Sequence, residues 1–271
     1  MSAAHPLPLA TPAAASAAPR ARQGRYELAF ACSDEDLDAA LRLRFEVFNL
    51  ELGEGLRRSR LTGRDRDPYD AFCRHLIVRD TSDGSVVGTY RVQTADDARR
   101  GHGFYTASEF DLSALPPHVL DGALELGRAC IARPHRNTRV LYLLWRGIAA
   151  LAHDLGKRWL FGCCSLTSQD PREGRALLDV LAARDALHPA FDVRPRSGFQ
   201  CWPALRPCEP APEVEVPRLF DMYLSLGAKV CGEPAIDRAF GTIDYLVLFD
   251  LGDLDARSRR RFLPADQSSC S

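Results

Sequence analysis

The run from Ala123 to Leu166 constrains this chain more than any other. Ala123 to Ile131 is short, apolar and bounded by Gly122 and Pro134, so it reads as a buried strand. Thr138 is the expected N-cap of a helix whose Val140, Leu143, Leu144, Gly147, Ile148 and Leu151 recur at helical spacing. Gly156 supplies a stop, and Trp159 to Leu166 reads as a second buried strand. Two strands joined by one crossover helix run parallel, which requires an α/β sheet. Glu125 and Arg128 interrupt the first strand, and charges inside an apolar strand are costly unless paired or used.

The flanking segments add strands of both directions. Arg25 to Cys32 alternates as a strand, and Ser33 caps a helix that opens with Asp34, Glu35 and Asp36. Arg44 falls in the middle of that helix's apolar stripe, either snorkelling outward or serving as a buried partner for carboxylates. The turn Asp65-Arg66-Asp67-Pro68-Tyr69-Asp70 supplies such carboxylates. Cys73–Asp80 and Ser85–Gln93 form a hairpin around Asp83-Gly84, with Arg91 on a sheet face. Residues 96–103 read as a polar loop, and Ser168 as the cap of a further helix. The Pro-rich stretch 188–217 is an extended arm or lid, and 244–250 a last strand. Only the central unit demands a parallel pair, so the sheet is mixed, with helices on both faces.

Composition excludes several classes. In 271 residues no apolar run reaches the roughly 18 residues of a membrane span. A net charge of −1 gives no reason to expect nucleic-acid binding. Nine cysteines without a C-x-x-C pair fit a reducing cytoplasm better than disulfides or a metal site. Residues 1–24 read as a disordered Ala/Pro-rich tail, 25–262 as one domain, and 263–271 as a flexible tail. The arginines between 257 and 261 are most often a solvated end, though they could touch anionic lipid of an inner membrane.

Several strings resemble one family when taken together. Arg44-x-x-Val47-Phe48, Asp67-x-x-Asp70, Gly88-x-x-Arg91 and Glu125-x-x-Arg128 are similar to the pattern of acyl-homoserine-lactone synthases, within the GNAT superfamily. The longer strings are closer to the L-ornithine Nα-acyltransferases of ornithine-lipid synthesis. They are Asp67-Pro68-Tyr69-Asp70, Val87-Gly88-Thr89-Tyr90-Arg91, Gly103-Phe104-Tyr105, Glu109-Phe110-Asp111-Leu112, Glu125-Leu126-Gly127-Arg128, Leu144-Trp145-Arg146-Gly147, Leu160-Phe161-Gly162-Cys163 and Phe240-Gly241-Thr242. The resemblance implies a GNAT-like fold, acyl carrier protein as donor and L-ornithine as acceptor, with acyl-phosphopantetheine as co-substrate and no resident cofactor or metal. It also implies a strand bulge near Gly127, without which Glu125 and Arg128 would face opposite ways. The same chemistry on another amine, or a non-catalytic GNAT-like binding module, are the alternatives.

Amide formation from a thioester needs a neutral amine, a proton acceptor and donors for the oxyanion. Glu125 is the expected base, with Arg128 and Arg91 beside it as catalytic partners. Asp67 and Asp70 are expected to hold the unreacting ammonium, with Arg44 in their network. The run Arg133-Pro134-His135-Arg136-Asn137-Thr138 lacks the glycines with which GNAT proteins cradle a pyrophosphate. Arg133, Arg136, Thr138 and Arg139 are therefore assigned to the donor's single phosphate. A thiol mechanism through Cys130, Cys163 or Cys164 is disfavoured, because buried cysteines in apolar strands are usually inert.

Overall fold

The structure, a computed structural model, describes residues 21–202 and 212–262. The strands are β1 (Ala21–Gln23), β2 (Tyr26–Phe30), β3 (Arg74–Asp80), β4 (Val86–Thr94), β5 (Phe110–Asp111), β6 (Ala123–Ile131), β7 (Trp159–Leu166), β8 (Arg194–Pro195), β9 (Lys229–Val230), β10 (Ala235–Asp237) and β11 (Thr242–Asp250). The helices are α1 (Asp34–Phe45), α2 (Ser59–Thr62), α3 (Ala95–Arg100), α4 (Pro117–Asp121), α5 (Thr138–Asp154), α6 (Pro171–Ala183), α7 (Arg218–Ser225) and α8 (Ala256–Phe262). The main sheet runs β1-β2-β3-β4-β6-β7-β11-β10, with β9 also on β11, while β5 and β8 pair separately. Only β6–β7 is parallel, as the crossover required.

Side-chain alternation explains the two helical layers. Leu76, Val78, Tyr90 and Val92 face α5, where they pack with Val140, Leu143, Leu144 and Ile148. The intervening residues His75, Thr89 and Arg91 face the other way, toward α1 and its buried Arg44. One face of the sheet is thus apolar, and the other carries the charged residues.

Several boundaries depart from the sequence reading. Ala21–Gln23, assigned to the tail, pairs with β2; residues 1–20 and 263–271 lie outside the described residues. The expected loop 96–103 contains α3, because Thr94 and Asp97 form a reciprocal capping box. Asn137, not Thr138, caps α5, its side chain accepting from the N–H groups of Arg139 and Val140. Asp170, not Ser168, caps α6. Residues 188–202 of the Pro-rich stretch are tied to the body by β8 and by a bridge from Gln200 to Ala235.

The β6–β7 pairing lasts only from Ala123↔Trp159 to Glu125↔Phe161. At the next position a side chain on Gly162 would lie 2.2 Å from the carbonyl oxygen of Leu126, so glycine is required for the two strands to pass. Beyond that point the strands separate, and the space between them opens into a cavity lined mainly by apolar side chains.

Candidate active site

On the β4–β6 ladder, Arg91 pairs with Gly127 and Thr89 with Cys130. Two steps along β4 therefore match three along β6, which is a bulge. The extra residue is accommodated at Arg128, whose φ of 51° is left-handed. A non-glycine residue there costs about 1–3 kcal/mol, so its surroundings must hold it in place. They do so on every side. Arg128 Nη2 donates to Asp67 Oδ2 at 3.1 Å, and Nε lies 3.2 Å from Asp65 Oδ2. Its guanidinium lies between two rings, 4.7 Å from the Tyr105 centroid and 4.4 Å from that of Phe240. Desolvated cation–π contacts of this kind contribute about 2 kcal/mol each.

Asp65, Asp67 and Asp70 meet three arginines in one buried network. Arg44 donates to Asp65 at 2.9 Å and to Asp70 at 2.8 Å. Arg91 bonds both oxygens of Asp67 at 2.6 and 2.7 Å, and Asp70 at 3.0 Å. Asp70 also accepts from the Asp67 N–H at 2.8 Å, closing the turn at Pro68. Burial would push both carboxyls up, but Arg44 and Arg91 outweigh it at Asp70, and Arg91 and Arg128 at Asp67, so both are held below the usual range. Three cations face three anions, and the network leaves no spare negative charge. Asp67 borders a second, more open cavity, whereas Arg44 and Asp70 border neither this nor the apolar one. The expected grip of Asp67 and Asp70 on an ammonium thus meets carboxylates already neutralised by arginine.

Glu125 is buried on the wall of the apolar cavity. It makes no ion pair with Arg91 or Arg128. Its Oε1 accepts from the Thr106 N–H and hydroxyl, each at 2.7 Å, and its Oε2 from the Tyr105 N–H at 3.0 Å. A carboxylate has about four lone-pair sites, so one remains for a further donor. Burial raises its pKa, and the bonds from Thr106 and Tyr105 hold that rise in check.

One cavity, about 330 Å³, is lined mainly by apolar side chains including Phe48, Leu126, Trp145, Leu160, Phe220 and Phe249. A second, about 410 Å³ and more open, is bordered by Asp67, Tyr69, Glu109, Asp237, Arg238 and Phe199. Tyr105 and Arg128 line both. The residues assigned to the donor phosphate border neither cavity. Arg133, Arg136, Thr138 and Arg139 are exposed around the start of α5. Arg136 is paired with Glu51, and Asn137 already occupies two of the helix's N–H groups.

The sequence gives no site role to Thr106, Asp237 or Asp244, offers Asp65 only among the acids that Arg44 could pair with, and lets Phe104-Tyr105 and Glu109-Phe110-Asp111-Leu112 suit a pocket wall as well as plain packing. Tyr105 joins the parts: its N–H holds Glu125, its ring stacks on Arg128, and its hydroxyl donates to Asp237 at 3.2 Å. The cysteines are placed as expected, with burial pushing the thiols of Cys130, Cys163 and Cys164 up.

Comparison with known proteins shows the family. The acetyltransferase (GNAT) domain family matches residues 43–146, from the second half of α1 into α5. The L-ornithine N(alpha)-acyltransferase of Rhizobium meliloti (strain 1021) is 34% identical over 87% of this chain and 83% of its own. That of Brucella abortus (strain 2308) is 32% identical over 87% and 88%. A solved CoA-dependent acyl-homoserine lactone synthase covers 86% of this chain and 85% of its own at 16% identity, with a TM-score of 0.45. At the identity and coverage of the two acyltransferases, the chain belongs to the L-ornithine Nα-acyltransferase family of GNAT-fold enzymes.

Proposed function

We propose that this protein transfers a 3-hydroxyacyl chain from acyl carrier protein to the α-amino group of L-ornithine, giving a lyso-ornithine lipid. One observation carries the reading: a cavity lined mainly by apolar side chains and a more open one bordered by Asp67, Glu109, Asp237 and Arg238 meet at a wall made by Tyr105 and Arg128, with Glu125 in the first. The first suits the acyl thioester, and the charged groups around the second suit an amino acid. The neutral α-amine attacks the thioester carbonyl, forming the C–N bond, and the C–S bond breaks as the tetrahedral centre collapses. Glu125 takes the amine's proton, directly or through one water, and the departing sulfur ends as the pantetheine thiol. Arg128, fixed between two rings, supplies positive charge to the oxyanion. Arg91 holds Asp67 and lies 5.4 Å from the Tyr105 ring, keeping the shared wall in place.

Purified protein incubated with 3-hydroxyacyl carrier protein and L-ornithine, followed by mass spectrometry, tests the proposal. An amide of the α-nitrogen supports it. Acylation of another amine in preference would change the substrate, and no transfer to any amine would leave a binding module. Among the described residues no helix is long and apolar enough to cross a membrane. We place the reaction in the cytoplasm, where carrier protein and ornithine are both available, and assign α8 as the segment that meets the inner membrane.

A further inference from the structure

A second acidic group lies behind Tyr105, and among the described residues no arginine pairs with it. Glu109 and Asp244 are 1% and 3% exposed, and each brings a carboxylate oxygen within 4.8 Å of the other and of Cys163 Sγ. Asp237, also buried, accepts the Tyr105 hydroxyl and the N–H groups of Ala239 and Phe240. Asp244 Oδ2 accepts from Thr242 at 3.3 Å. Glu109 Oε1 and Asp244 Oδ1 are both buried with no hydrogen-bond partner. Buried polar atoms are nearly always paired in a finished structure, so two orphaned carboxylate oxygens side by side point to a missing donor. Asp244 borders the apolar cavity, while Glu109 and Asp237 border the more open one. The cluster therefore lies where the two meet.

Resting on the functional reading above, we infer that Glu109 and Asp244, supported by Asp237, bind the side-chain ammonium of the amine acceptor. A primary ammonium offers three N–H donors and one positive charge, which is what two orphaned oxygens and an uncompensated acidic cluster lack. An ammonium taken out of water must be paired, and the arginine-filled Asp65–Asp67–Asp70 network has no charge left to pair it. Tyr105 would couple the two ends of the substrate, since it touches Asp237 through its hydroxyl and Glu125 through its N–H. A longer or shorter diamine would then misplace its reacting nitrogen. Burial, with each carboxylate's effect on its neighbour, pushes Glu109 well up and Asp244 up, as expected of acids lacking a counter-ion.

The test compares L-ornithine with L-norvaline, which has the same carbon chain without the distal nitrogen, using full-length protein and acyl carrier protein. A site built to bond a polar group rejects the analogue lacking it, so wild type should favour ornithine in kcat/KM by at least about a hundredfold. In Glu109→Gln and in Asp244→Asn that ratio should collapse at least about tenfold, chiefly through the KM for ornithine. Either variant is sufficient if the other fails to fold. An unchanged ratio in both variants overturns the inference. So does stoichiometric zinc in the purified wild type that is lost from Glu109→Gln, which would make the cluster a metal site. A wild-type protein that acylates neither amine would instead sink the functional reading, and this inference with it.

Discussion

Arg44 Nη1 donates to Asp70 Oδ1 across 2.8 Å, and neither side chain reaches water. The pair belongs to a network whose other members hold Arg91 and Arg128 against the site. Removing one partner of a buried ion pair strands the other, at about 3–5 kcal/mol. Arg44→Ala should therefore lower the free energy of unfolding by about that amount, and activity should fall with it. Urea unfolding measures the loss, and a change under about 1 kcal/mol would show that the network does not hold the fold.

Glu125→Gln keeps shape and volume and can still accept at one oxygen. If Glu125 is the base, turnover at saturating ornithine should fall by about 10²–10⁴-fold while the protein stays folded. If its task is only to anchor Tyr105 and Thr106, the variant should instead melt earlier and keep its turnover once folded. Thermal melting and single-turnover rates on the same preparation separate the two.

Glu109 gives a prediction about pH and stability. Its folded pKa is raised well above the unfolded value of about 4.3 by burial and by Asp244 and Asp237. Between those two pKa values the folded state binds more protons than the unfolded state. Its contribution is thus fully present below about pH 4 and is lost as pH rises toward the folded pKa. Glu109→Gln removes this loss, so the variant should gain stability relative to wild type as pH rises from 4 to 8. Melting temperatures across that range check it, and parallel curves would contradict it. A variant more stable yet poorer with ornithine would fit a binding site kept at some cost to the fold.

Much of this was legible in the sequence, and the reasons differ by residue. β6 and β7 could be read because apolar runs bounded by Gly122, Pro134 and Gly156 have few alternatives. α3 was missed because its six residues lack an apolar face, and only the Thr94–Asp97 capping box gives it away. The bulge was expected near Gly127, where glycine would be easiest, but the left-handed residue is Arg128. No local rule finds that, since contacts from Asp65, Asp67, Tyr105 and Phe240 hold it there. Asp244 is a different failure. It stands in an apolar strand as Glu125 does, and the rule that marked Glu125 should have marked it too. Arg44 as a buried partner of the acids in the 65–70 turn was one of two readings open in the sequence, and the structure bears it out; that Arg91 and Arg128 would fill the same carboxylates was not legible, because they come from two further strands.

The donor remains a reading of the sequence, since the residues assigned to its phosphate border neither cavity. The turn at Arg133–His135 contains no glycine, and Asn137 Oδ1 already takes the Arg139 and Val140 N–H groups at 3.0 and 3.2 Å. A nucleotide pyrophosphate needs several free backbone donors at such a helix start, whereas a phosphopantetheine on a carrier serine brings one phosphate. Acyl carrier proteins are acidic, and the exposed arginines here favour their approach. We expect kcat/KM for acyl carrier protein to exceed that for acyl-CoA at least about tenfold, or about 1.4 kcal/mol, at low salt. The advantage should shrink as ionic strength rises. Arg136 is paired with Glu51, whereas Arg133 and Arg139 have no ion pair among the described residues. Arg139→Glu should therefore erode the preference more than Arg136→Ala, mainly through a slower encounter. Equal use of both donors at low salt, or insensitivity to Arg139→Glu, would move the donor's entry away from the start of α5.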